Sequence, residues 1–197
     1  AECMGRNLLS TPFFSATLAA QALLRAGTSA QQELWLPQIA TGTVASLALL
    51  DSEDWGATHS SAGAVLDGET IRLSGEKWFV PDAGVASLFL VAVSLDGAPA
   101  LVLVESEQLP AGAIKPHTLI DETKRAARID LSGVEVAAGA LLDVSKTVPA
   151  LRDIGLLGAL LVAAEATGAA GACLDTVVDY LKTRKQFDKP IGSYQAL

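Results

Sequence analysis

The residues best suited to chemistry lie together near the end of the chain, in Arg184-Lys-Gln-Phe187-Asp-Lys-Pro190-Ile-Gly-Ser-Tyr-Gln195. Arg184 offers a planar fork of donors that matches a phosphate, Phe187 a ring that can stack on a base, and Gln195 a side-chain amide. Together they suit a nucleotide. The same stretch also reads as a solvated basic helix end, because Lys182, Arg184 and Lys185 complement the negative end of a helix dipole. Spacing alone favours that plainer reading.

Other candidates are weaker. Gly168-Ala-Ala-Gly171 has the look of a phosphate loop, but such a loop follows a strand and opens a helix. These glycines fall inside a helical run, where close packing of a neighbouring helix accounts for them better. His59 and His117 have no Glu or second His at metal-ligand spacing and read as loop histidines, so no metal site is expected. No Gly-x-Ser-x-Gly elbow occurs. Cys3 and Cys173, far apart, make neither a disulfide framework nor a metal cage, which leaves a reducing cytosol as the default compartment.

Composition narrows the classes further. Half of the 197 residues are hydrophobic and 18% are charged, enough to bury a core. A net charge of -8 argues against a nucleic-acid partner, which would need a basic stripe to neutralise phosphates. The longest apolar run, residues 154–164, is about half of what a bilayer requires, so no membrane span is expected. No basic, apolar and small-residue succession marks a secretion signal.

The elements that must position the candidates fall into an α+β succession. Residues 1–43 read as the end of a helical domain. Leu18, Ala22 and Leu23 keep helical spacing before Gly27, then Ser29 with Gln32 predicts a capping box and Gly42 a helix end. Residues 44–147 change period. Short β-rich runs at 46–50, 70–74, 78–80, 88–93, 100–104 and 128–131 alternate with Asp67-Gly68, Asp96-Gly97 and Leu109-Pro110 turns. Without helices between them they predict an antiparallel barrel or sandwich. Residues 148–197 predict one long helix opening a further helical domain, with Pro149 in its first turn and its end before Pro190.

Four segments in this order resemble the acyl-CoA dehydrogenases. The final stretch is similar to that family's R-x-x-F-G-x-P-I-G-x-x-Q signature, and QELWLPQIATG (Gln32 to Gly42) to its K-x-x-x-L-P-x-L-A-x-G helix. Leu73-Ser-Gly75-Glu-Lys77-Trp-Phe-Val80 looks like its L-N-G-x-K-x-W-I strand pair. Arg128 to Asp143 matches its F-x-x-V-x-V-P segment loosely. The resemblance implies FAD as cofactor, an acyl-CoA thioester as substrate, removal of two hydrogens across Cα–Cβ, and an oligomer, homo- or heteromeric, built as a dimer of dimers. It also implies that Arg184, Phe187 and Gln195 hold the adenosine and pyrophosphate end of a neighbouring subunit's FAD, although Asp188 stands where the family has Gly.

The flavin-ring side departs from the family. Leu50 stands in place of a Thr whose hydroxyl and N–H face the flavin pyrimidine, and Ala57 in place of a Ser near the substrate. Phe79 replaces a flanking Trp. Pro81 replaces the Thr or Ser that donates to the N5–O4 edge, and proline has neither hydroxyl nor N–H to offer. Two readings stay open: divergence that keeps the shape of the site, or a subunit that completes a partner's FAD site and has lost its own catalytic half. The family's usual base position lies beyond residue 197. Its minority position falls near Gly158, which cannot act as a base, so no catalytic residue is assigned.

Overall fold

The structure is a computed structural model that describes residues 1–54 and 60–194. Ala57, His59 and Gln195 lie outside the described residues. Among the described residues four helices, α1 (Glu2–Arg6), α2 (Phe13–Ala26), α3 (Ser29–Ala40) and α4 (Val144–Thr183), accompany eleven strands. The strands are β1 (Ala45–Ala48), β2 (Gly63–Asp67), β3 (Thr70–Ser74), β4 (Glu76–Pro81), β5 (Leu88–Leu95), β6 (Ala98–Glu105), β7 (Ile114–Pro116), β8 (Ala126–Asp130), β9 (Glu135–Ala137), β10 (Lys185–Gln186) and β11 (Lys189–Pro190). They form two compact units, residues 11–158 and residues 1–10 with 159–197. The α+β class is the one expected from the sequence.

In the larger unit, α2 buries Leu18, Ala19, Ala22, Leu23 and Ala26, the stripe that its 3.6-residue period predicts. The capping box of α3 falls one residue earlier than expected: Thr28 accepts from the Gln31 N–H while the Gln31 amide oxygen accepts from the Thr28 N–H. Gln32 instead donates to the Leu23 and Gly27 carbonyls at the end of α2, at 3.1 and 2.9 Å. At the other end Gly42, with φ of 118°, closes α3, and the Thr43 N–H reaches the Gln38 carbonyl at 3.0 Å. That is a Schellman arrangement, which the expected glycine permits.

A six-stranded sheet runs β1-β5-β2-β3-β9 with β6 on the other edge of β5, and a three-stranded sheet runs β4-β8-β7. Two pairings are parallel, β1 with β5 and β2 with β5, where an antiparallel arrangement throughout was expected. Hydrophobic period reports which face of a strand is buried and carries no information on direction, so these long-range partners could not be read from it. The β5–β6 hairpin matches its turn chemistry: Asp96 and Gly97 take φ of 50° and 80°, as a two-residue type I′ loop demands. Strands β2, β7 and β9 went unseen in the sequence. β2 buries only Ala64, and the other two have three residues each, too few for an alternation.

Beside this core sits a buried charge. Lys77 is fully buried on β4, and its ammonium donates to the Asp51 carboxylate, to Ser60 Oγ at 3.1 Å and to the Leu49 carbonyl at 3.3 Å. The second Asp51 oxygen accepts from the Ser61 N–H. Burial works to raise the Asp51 carboxyl, but Lys77, Ser60 and the Ser61 N–H outweigh it and hold the group below the ordinary carboxylate range. Burial pushes the Lys77 ammonium down, against the pull of Asp51.

Helix α4 begins at Val144, five residues before the expected Pro149, because Asp143 caps it by accepting from the Ser145 N–H at 3.0 Å. Its 40 residues make it long and apolar enough to cross a membrane by length and composition. The unbroken apolar run at 154–164 is shorter than this, and small Ala, Gly and Thr residues extend it. In the smaller unit α1 lies against α4 through glycines. A Cβ on Gly168 would collide with the Glu2 carbonyl, and one on Gly5 with the Glu165 carbonyl. Close packing, as expected for Gly168, is the reason that glycine is there.

Removing Lys77 strands a buried carboxylate. Lys77→Met is expected to lower stability in urea unfolding by about 3–5 kcal/mol, and Lys77→Met with Asp51→Leu to recover most of that. Equal losses in both variants would mean that the charges do not hold this junction. Because the folded Asp51 value is depressed, the pair's contribution is present above about pH 4 and lost as pH falls through that lower value. Asp51→Asn should therefore flatten the acid limb of the stability profile. Gly168→Ala, which in an open helix would stabilise by about 1 kcal/mol, is expected here to destabilise by about 1–3 kcal/mol. A raised melting temperature would contradict the close approach of α1.

Candidate functional site

The expected flavin-ring residues come together where β1 ends and β4 bends. Past Ala48 the chain leaves β5, and the Leu50 carbonyl accepts from the Trp78 N–H at 2.7 Å, forming a bridge between the two segments. Strand β4 then carries one extra residue relative to β8: Lys77 pairs with Ile129 but Val80 with Ala127. Phe79 absorbs that bulge with φ of 49°, a left-handed conformation that bulky residues seldom adopt. Past the bulge, the Pro81 carbonyl accepts from Ser46 Oγ on β1 at 2.6 Å. Leu50 and Pro81 are thus tied across β1 and β4, on either side of the bulge that carries Phe79.

Asp82 continues the strained segment with φ of 53°. Its buried carboxylate accepts from Ser15 Oγ at 2.7 Å and from Arg125 at 3.1 Å, and its own N–H donates to the Arg125 carbonyl. This ties the far side of Pro81 to α2 and to the approach to β8. On the Leu50 side lies a cleft of about 360 Å³ lined by Leu49, Leu50, Ala92, Pro99, Val148 and Leu151, with Asp51 and Ser60 at its polar margin. An apolar cleft with a few polar groups suits a largely hydrophobic ligand.

Sequence reasoning passed over His117. Its ring stacks on Phe79, with centroids 4.7 Å apart and planes at 22°, and lies 5.4 Å from Trp78. The register explains the meeting. Pro116 pairs with Ala127 and Ala127 with Val80, so His117 comes level with Ala126 and Pro81, next to the bulge in β4 that carries Phe79. No local signal could have revealed a contact that two strand pairings create.

The expected adenosine-end residues lie in the smaller unit. Arg184 follows α4 directly, its N–H bonded to the Tyr180 carbonyl and its carbonyl to the Ile191 N–H. Its guanidinium has no hydrogen bond or ion pair among the described residues. Strands β10 and β11 pair Gln186 with Lys189, so Phe187 and Asp188 form a two-residue loop, with φ of 51° and 60°. This is again the type I′ geometry. The family's Gly suits its second position, and Asp tolerates the same conformation better than most residues. The loop leaves Phe187 90% exposed, and Tyr194 Oη straps it by donating to the Gln186 carbonyl at 3.0 Å.

Comparison with known proteins agrees with this order of elements. The model of the acyl-CoA dehydrogenase C-terminal domain matches residues 156–197. Acyl-CoA dehydrogenase FadE27 of Mycobacterium tuberculosis is 30% identical over 197 residues, which cover 98% of this chain and 50% of the relative. The crystal structure of the ChsE4–ChsE5 complex from Mycobacterium tuberculosis superposes with a TM-score of 0.80 at 27% identity, covering 98% of this chain and 51% of that one. A glutaryl-CoA dehydrogenase from Mycobacterium smegmatis, in complex with FADH2, superposes with a TM-score of 0.84 over 93% of this chain and 48% of its own; at 22% identity this likeness is one of fold. The chain spans about half the length of the relatives it matches and, by sequence and by the succession of its elements, belongs to the acyl-CoA dehydrogenase family.

Proposed function

We propose that this chain is part of an FAD-dependent acyl-CoA dehydrogenase subunit that takes two hydrogens from Cα–Cβ of an acyl-CoA thioester, in fatty-acid or steroid breakdown. Bound FAD would supply the acceptor, at flavin N5, for the β-hydrogen leaving as hydride. The observation that carries the reading is the end of α4, where a guanidinium without a partner among the described residues adjoins a short hairpin that turns an aromatic ring outward. Arg184 would bind phosphate through charge-assisted hydrogen bonds, Phe187 would stack on the adenine, and Gln195 would contribute its amide. In this reading they serve a neighbouring subunit's cofactor, so the assembly is an oligomer, a dimer of dimers. The exposed Leu156, Leu160 and Leu174 along α4 support burial against further protein. A cytoplasmic location is supported by two free cysteines and no disulfide framework.

The flavin-ring side fits less completely. Leu50, Phe79 and the apolar cleft beside them would exclude water and pack an apolar ring system, which strengthens electrostatics within the cleft. Pro81 offers no donor, and Leu50 has no hydroxyl, which leaves only its backbone N–H as a donor from that position. Charge developing on the flavin edge would have to be met by other donors. This favours a second reading, a subunit in a mixed oligomer that completes its partner's FAD site. The two-component name of the ChsE4–ChsE5 complex supports it.

The visible absorption of the native protein, purified alone and with any partner subunit, separates these readings. Flavin bands in the protein alone are expected for the dehydrogenase, and flavin only in the mixed assembly for the completing subunit. Absence from both preparations would end the flavin reading. Arg184→Ala is expected to weaken FAD retention roughly 30-fold through loss of about 2 kcal/mol of charged hydrogen bonding. Unchanged occupancy in every assembly would remove Arg184 from the site.

A further inference from the structure

We infer that His117 is a positioning residue that sets the orientation of Phe79, and through it the wall against which a flavin ring would rest. The inference builds on the FAD reading above but starts from a separate cluster. Phe79 sits in a bulge with a left-handed backbone, where the normal alternation of strand side chains no longer dictates where its ring points. A ring released from that alternation needs neighbours to hold it.

His117 is in contact with both aromatic rings of the bulge. It stacks on Phe79 at 4.7 Å and lies tilted over Trp78 at 5.4 Å, whereas Trp78 and Phe79 themselves are 6.3 Å apart. Arg128 covers Trp78 at 5.3 Å, completing the set. The backbone fixes His117 independently: its N–H donates to the Ala126 carbonyl at 2.9 Å, and Pro116 before it limits the chain's freedom. Its Nε2 is buried and has no hydrogen-bond partner among the described residues. Buried polar atoms are normally satisfied, so this ring is held by its faces, and its planar shape is what the cluster uses.

The test compares His117→Leu, which keeps volume but loses the stacking plane, with His117→Phe, which keeps the plane. In the flavin-free native protein, His117→Leu is expected to reduce the near-ultraviolet circular dichroism of the Trp78–Phe79 cluster, and His117→Phe to retain it. On titration with FAD, His117→Leu should weaken binding roughly 3- to 10-fold and shift the bound flavin's visible spectrum, with both restored in His117→Phe. Wild-type dichroism, affinity and spectrum in His117→Leu would overturn the inference. If the wild-type protein binds no FAD in any assembly, the flavin reading fails and the dichroism alone decides: loss restored by Phe supports His117 as the residue that orients Phe79, and no loss refutes it.

Discussion

A single buried ammonium organises this end of the β-domain. Lys77 has no exposed surface, and an unpaired charge there would be prohibitive, so the chain must bring it partners. Those partners, Leu49, Asp51 and Ser60, come from the segment that leaves β1 and the one that approaches β2. Satisfying Lys77 therefore closes the gap between β1 and β4. The Leu50–Trp78 bridge follows in register, and the bulge that turns Phe79 follows from the bridge. Replacing such a pair by well-packed apolar side chains is often neutral in stability. What the charge supplies here is a junction with one geometry.

Of the six non-glycine residues with left-handed backbone among the described residues, four stand at the two places where function is proposed. Phe79 and Asp82 flank Pro81, and Phe187 with Asp188 forms the tip of the β10–β11 hairpin. Each is stabilised by bonds from outside the segment: Ser46 to Pro81, Ser15 and Arg125 to Asp82, and Tyr194 to Gln186. Strain supported in this way aims side chains that ordinary strand or helix geometry would turn elsewhere. At the hairpin it turns Phe187 outward. At the bulge it brings Phe79 onto His117.

Much of the fold was legible in residue types. The stripe on α2 follows from its period, the Gly42 helix end and the Asp96-Gly97 hairpin from left-handed geometry that few other residues adopt, and Gly168 from a small residue's use in close helix packing. Misplacements were also local. The α3 capping box belongs to Thr28 and Gln31 because two overlapping patterns differ by one residue, and the side chain of Gln32 is drawn to the carbonyls ending α2. The start of α4 was set at Pro149, although Asp143 is the better cap. Family resemblance named Leu50, Phe79 and Pro81, but residue types alone would not have joined them.

The sequence by itself determined the main helices, the longer strands, the Asp96-Gly97 turn and the residue types clustered around Arg184, because periodicity, capping and turn chemistry act over a few residues. Tertiary structure alone decided that β1 and β2 run parallel to β5, that Lys77 and Asp51 form one buried pair, and that His117 meets Phe79. Those outcomes depend on which distant strands pair and in what register. Pairing is chosen by the joint burial of whole sheets, a sum over contacts that no short window of sequence contains.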